Sequence, residues 1–161
     1  MADQPPRVMA VASAGGHWIQ LCRLAPAWSG CRVDYVTTDP GLRRGVEDVA
    51  VALGDPIPGF HVVSEVNRWQ KLRLIRSLFQ IAFLLLRIRP DVVVTTGAAP
   101  GFLILRLGGL MGARTVWIDS IANADELSLS GKMAGKHCDL WLTQWEHLAT
   151  SEGPGFQGSV I

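Results

Sequence analysis

The stretch Arg7-Val8-Met9-Ala10-Val11-Ala12-Ser13-Ala14-Gly15-Gly16-His17 runs from apolar residues across two glycines to a histidine. A short apolar run closed by small residues reads as a buried strand, and Gly15-Gly16 lets the backbone turn tightly into a helix starting near His17. This is the first half of a βα unit, and the chain repeats it. Runs rich in Val, Ile and Thr predict strands at Arg7–Ala12, Arg32–Thr37, Ile57–Val63, Asp91–Thr95, Arg114–Asp119 and Asp139–Thr143, with a last short one at Gly158–Ile161. Helices are predicted at His17–Trp28, Leu42–Leu53, Asn67–Ile88, Pro100–Met111 and Trp145–Ser151. Alternation of this kind implies an α/β fold, a Rossmann-like doubly wound parallel sheet, in a single domain covering residues 1–161.

The totals agree with one globular unit: 161 residues, 48% hydrophobic and 18% charged. A formal charge of +1 lacks the concentrated basic surface that nucleic acid requires, so no nucleic-acid partner is expected and charged ligands must be recognised locally. Cys22, Cys31 and Cys138 are odd in number and have no C-x-x-C spacing, which points to a reducing compartment without a disulfide framework or a zinc site. His61, His137 and His147 have no metal-ligand spacing, so no metal is expected. The opening MADQPPR has no apolar core, and no signal peptide is expected.

In open parallel sheets, ligands bind outside the carboxyl ends of the strands. That rule selects the loops Ser13–His17, Thr37–Pro40, Thr95–Pro100, Asp119–Asn123 and Gln144–Glu146. Ser13, Gly15 and Gly16 allow close backbone approach to an anion in front of helical N–H groups, and Thr96, Gly97 and Ala98 repeat the device before a helix with proline near its first turn. The positive end of a helix dipole disfavours imidazolium, and a neutral imidazole such as His17 can accept a proton from a substrate hydroxyl. A tight turn with His17 as a helix cap is the plainer alternative, and it stays open at this point. Asp119 at a strand end, with Ser120 and Asn123 after it, can orient sugar hydroxyls or act as a base. Ser128-Leu129-Ser130-Gly131-Lys132 reads as a loop offering hydroxyls and one cation. Asp39 sits where a dinucleotide fold keeps its ribose-binding acid, but the G-x-G-x-x-G spacing is absent, which leaves a nicotinamide cofactor only weakly supported.

The segment Asn67–Pro90 combines apolar surplus with Arg and Lys. Its uninterrupted apolar run, Ile81–Leu86, is far short of the ~20 residues that span a bilayer. Two readings remain, a buried crossover helix or one whose outer side meets an anionic membrane or a partner through Trp69, Lys71, Arg73, Arg76 and Phe83.

Taken in order, Ser13-Ala14-Gly15-Gly16-His17, Thr95-Thr96-Gly97-Ala98-Ala99-Pro100, Ile118-Asp119-Ser120 with Ala122, Ser128–Lys132, Gln144-Trp145-Glu146 and Gly158-Ser159-Val160-Ile161 resemble the membrane-associated subunit of two-subunit UDP-sugar glycosyltransferases. The relatives are the eukaryotic asparagine-linked glycosylation subunit fourteen and bacterial capsule and exopolysaccharide proteins of that type. This chain departs from the pattern at Ala14, Asp119 and Glu146, where serine, glutamate and proline are usual. The resemblance implies the N-terminal half of a glycosyltransferase-B fold, catalysing transfer from a UDP-sugar to a polyprenyl-diphosphate-linked saccharide as one chain of a heterodimer. It further implies that no cofactor is bound by this chain alone, the UDP-sugar being shared with a donor-binding partner subunit. His17 and Asp119 would be catalytic, with Ser13, Gly15, Gly16, Thr96, Gly97, Ala98, Ser120, Asn123, Gln144 and Glu146 at the substrates. The location implied is peripheral, on the cytoplasmic face of a membrane, with Asn67–Arg89 replacing the N-terminal anchor of eukaryotic members. A non-catalytic scaffold and membrane tether, or a nucleotide-binding regulator or oxidoreductase, are the competing readings.

Overall fold

The computed structural model describes residues 4–64 and 71–160, the side chains of 71–74 excepted. Seven strands, β1 (Arg7–Val11), β2 (Arg32–Thr37), β3 (Gly59–Val62), β4 (Val92–Thr95), β5 (Arg114–Ile118), β6 (Leu140–Thr143) and β7 (Gly155–Phe156), form one sheet. The order is β3-β2-β1-β4-β5-β6-β7, and every neighbouring pair is parallel. Five helices cover it: α1 (Gly16–Arg23), α2 (Arg43–Leu53), α3 (Lys71–Ile88), α4 (Ala98–Leu110) and α5 (Leu129–Ala134). The doubly wound parallel sheet expected from the sequence is what forms.

The central strands carry apolar residues on both faces because each face is covered by helices. Val8, Ala10 and Val94 pack with Trp18 and Leu21 of α1, Val46 of α2, and Trp28. On the opposite face Met9, Val11, Val93 and Trp117 pack with Ile81 and Leu85 of α3, Ile104 and Leu105 of α4, and Ala134 of α5. Gly108 lets α4 approach the sheet, since a Cβ there would stand 2.8 Å from Val93 Cγ2.

Strand and helix ends lie within two or three residues of expectation for β1 to β6, α2 and α4. The first helix is shorter than expected: α1 ends at Arg23, and Pro26 holds Ala25–Trp28 in a 3-10 turn. At the C-terminal end three expectations fail. The last strand is Gly155–Phe156 rather than Gly158–Ile161, because Gly158 turns at φ 107° and the Val160 amide donates to Gln144 Oε1 (3.0 Å) instead of a strand. Only Glu146–Leu148 of the expected Trp145–Ser151 helix coils, as a 3-10 turn that stops where Ala149 becomes extended. Conversely, the expected Ser128–Lys132 loop holds the start of α5, whose first turn is capped by Ser128 Oγ accepting from the Gly131 amide (2.8 Å).

From β1 the chain winds outward to β2 and β3, then crosses back by α3 to β4 on the other side of β1. The winding reverses between β1 and β4. A crevice therefore opens where the loops after these two strands diverge, and in such sheets this is where ligands bind.

Candidate functional site

The loops after β1 and β4 carry His17 and Thr96, and they are bonded to each other. His17 Nδ1 lies 2.8 Å from the Thr96 carbonyl oxygen, and Thr96 Oγ1 donates to the His17 carbonyl at 2.7 Å. A carbonyl can only accept, so Nδ1 carries the proton. In the neutral ring Nε2 is then the acceptor. Gly97 packs closely against this imidazole: a Cβ there would be 2.9 Å from Cε1 and 3.0 Å from Nδ1, and the residue has φ 124°. Ala98 follows at φ 65°, a conformation that L side chains rarely adopt. Thr95 Oγ1 accepts from the Gly97 amide (3.1 Å) and holds the loop from beneath. Gly15, at φ 91°, turns the chain into α1, so α1 and α4 both begin at this crevice with a positive-φ glycine and no side-chain cap.

Asp119 does not project into the crevice. Its side chain is buried, Oδ1 accepting from Ser128 Oγ (2.6 Å) and Trp117 Nε1 (3.2 Å), and Oδ2 from the Ser128 amide (2.9 Å) and Asn123 Nδ2 (3.3 Å). Four donors from the chain itself occupy the carboxylate. Asp119, expected to orient sugar hydroxyls or act as a base, here ties down the loop that carries Asn123 and holds the Ser128 cap of α5. Asn123, half-buried, gives one amide hydrogen to that carboxylate.

Gln20 is a residue that sequence reasoning passed over. Buried on α1, it donates through Nε2 to Ser120 Oγ (3.0 Å) and the Gly16 carbonyl (3.2 Å), while Oε1 accepts from the Ile121 amide (3.0 Å) and Gln144 Nε2 (2.7 Å). Gln144 Nε2 also donates to the Asp119 carbonyl (3.0 Å). Two amides thus join the loops after β1, β5 and β6, and Ser120 and Gln144 belong to this brace. The only signal in the sequence was a long polar residue between Trp18 and Leu21, on the side of α1 facing the sheet. Trp145 Nε1 adds a bond to the Ile121 carbonyl (2.8 Å), and His147 Nε2 one to the Ala124 carbonyl (2.7 Å).

The remaining predicted residues divide. Ser13 is half-buried and Gly15 and Gly16 are exposed beside His17, whereas Glu146 is exposed on the 3-10 turn after β6. Asp39 Oδ1 caps its own turn by accepting from the Gly41 amide (2.8 Å), which explains that acid without a ribose. Glu126 pairs with Lys132 at 2.8 Å, and this bond holds its carboxyl below the usual range. Phe83 and Arg76 are exposed on α3, while Trp69 lies outside the described residues, as do the side chains of Lys71 and Arg73. Among the described residues no cluster of three His, Cys, Asp or Glu is arranged to hold a metal, and no helix is long and apolar enough to cross a membrane.

Residues 64–158 match the family model described as oligosaccharide biosynthesis protein Alg14 like. The chain belongs to the Alg14 family. The mouse relative, named UDP-N-acetylglucosamine transferase subunit ALG14, is 27% identical over 167 residues, covering 88% of this chain and 76% of its own. The Eremothecium gossypii protein of the same name is 28% identical over 170 residues, covering 90% and 75%. Among solved structures, Acinetobacter baumannii MurG superposes with a TM-score of 0.73 at 13% identity, over 98% of this chain and 47% of its own. This Alg14-family chain thus has the fold of one half of a glycosyltransferase-B enzyme and spans about half the length of the MurG chain.

Proposed function

We propose that the chain is the acceptor-side subunit of a two-chain glycosyltransferase that moves a sugar, with inversion, from a UDP-sugar to a hydroxyl of a polyprenyl-diphosphate-linked saccharide. The observation that carries this reading is the His17–Thr96 pair across the switch point, which commits Nδ1 to a carbonyl and, among the described residues, leaves Nε2 without a hydrogen-bond partner. In the reaction the acceptor hydroxyl oxygen attacks the anomeric carbon, and its proton passes to His17 Nε2. The bond from that carbon to the donor phosphate oxygen breaks, and the electron pair leaves with UDP. Backbone N–H groups at the starts of α1 and α4, beside Gly15-Gly16 and Gly97-Ala98, suit the diphosphate of either substrate. Gln20, Ser120, Gln144 and Asp119 act as positioning residues that hold the loops around the base.

A single Rossmann-like half closes only one side of such a cleft, and the word subunit in the relatives' name agrees with a second, donor-binding chain. The same name makes UDP-N-acetylglucosamine the first donor to test. Attachment to the membrane is peripheral, on the cytoplasmic face, with Phe79 and Phe83 of α3 as exposed apolar contacts. Each chain alone and the two together are incubated with labelled UDP-N-acetylglucosamine and a short-chain polyprenyl-diphosphate saccharide. Labelled product is expected from the pair only. Full transfer by the partner alone would reduce this chain to a tether.

A further inference from the structure

Charge is segregated between the two faces of the sheet. The helices α3, α4 and α5 contain six of the fifteen Lys and Arg of the chain and none of its fourteen Asp and Glu. On the other face α2 alone holds Glu47 and Asp48 beside Arg43 and Arg44. The acid-free helices are neighbours, α3 packing on α4 and α4 on α5, and their inner residues share one core cluster. Their outer side is unusually apolar: Phe79, Phe83 and Leu86 of α3, Leu110 at the end of α4 and Leu129 of α5 are 73%, 62%, 61%, 68% and 72% exposed. A helix layer facing only water would carry acids as well as bases and would not leave such side chains uncovered.

We infer that the outer face of the whole α3–α4–α5 layer, and not α3 alone, lies against an anionic lipid bilayer. Apolar side chains enter the acyl boundary while Arg76, Arg87 and Arg106 meet lipid phosphates, a combination of apolar depth and anionic surface that a bilayer supplies over the whole layer. Lys132 contributes less because Glu126 already pairs with it. With the layer on the membrane, the sheet lies behind it and the carboxyl-end crevice opens sideways at headgroup level. A lipid-linked diphosphate then reaches Gly97 and His17 without leaving the interface; this consequence, like contact through α3, rests on the function proposed above, whereas the extension to α4 and α5 does not.

The test is flotation of the full chain with vesicles of phosphatidylcholine alone or mixed with phosphatidylglycerol, with no donor or acceptor present, so that its outcome is independent of transfer. Phe83→Glu on α3 and Leu110→Glu on α4 each place an acid at an exposed site of the layer, and Val51→Glu does so on α2, where Val51 is 68% exposed. Binding is expected only to the anionic vesicles, weakened about tenfold by Phe83→Glu and by Leu110→Glu and unchanged by Val51→Glu. Wild-type binding by Leu110→Glu would confine the contact to α3 and overturn the inference. Equal loss with Val51→Glu, equal binding to neutral vesicles, or no flotation at all would overturn it as well.

Discussion

Gly97 and His17 are paired more tightly than their separation of eighty positions suggests. Replacing Gly97 with alanine places a Cβ against the imidazole in a backbone conformation that costs about 1–3 kcal/mol. The Gly97→Ala variant is expected to keep its fold and lose most of its transfer activity, measured as kcat in the reconstituted pair. Asp119 predicts the reverse pattern. An amide in place of the carboxylate cannot accept at both positions, so Asp119→Asn leaves a half-buried donor without a partner, at about 1–3 kcal/mol. Its urea midpoint is expected to fall, with activity declining only as the loop loosens. The setting of His17 could be anticipated because a ring after two glycines is a local signal. That of Asp119 could not, since a carboxylate at a strand end looks the same whether its donors come from a ligand or from Ser128, nine positions later.

At the scale of elements, strands β1 to β6 were legible because Val-rich runs between helical segments have no other stable arrangement than a parallel sheet with both faces covered. Short pieces were not. The cap that starts α5 depends on Ser128 being held by Asp119, and the 3-10 turn after β6 is tied down by Trp145 and His147 reaching loop carbonyls, all tertiary causes. The Gln20–Gln144 brace was hidden for the same reason, its partners lying 124 positions apart. A further tie joins β5 to β6: Asp139 Oδ2 accepts from the Thr115 hydroxyl (2.8 Å) and amide (2.7 Å), and these bonds, the hydroxyl first, hold its carboxyl below the usual value. A depressed carboxyl stabilises the fold above its unfolded value of about 3.9, and that stabilisation is lost as pH falls through the lower folded value. The stability difference between wild type and Asp139→Asn in urea is therefore expected at pH 6 and should vanish in strong acid; a difference independent of pH would show that the charge is irrelevant.

For the molecule as a whole, the crevice lies at the carboxyl edge of the sheet and the acid-free helix layer covers one of its faces. Membership of the Alg14 family and the likeness to MurG in fold assign no chemical role to His17. The isolated chain is expected to transfer no sugar under any donor, which a radiolabel assay with and without the partner checks. The most direct measurement is turnover of the reconstituted pair carrying His17→Ala, with heterodimer formation followed in parallel by sedimentation. Loss of a general base predicts a kcat lower by about 10²–10⁴ with assembly intact. Wild-type turnover by that variant would contradict the assignment and move the chemistry to the partner.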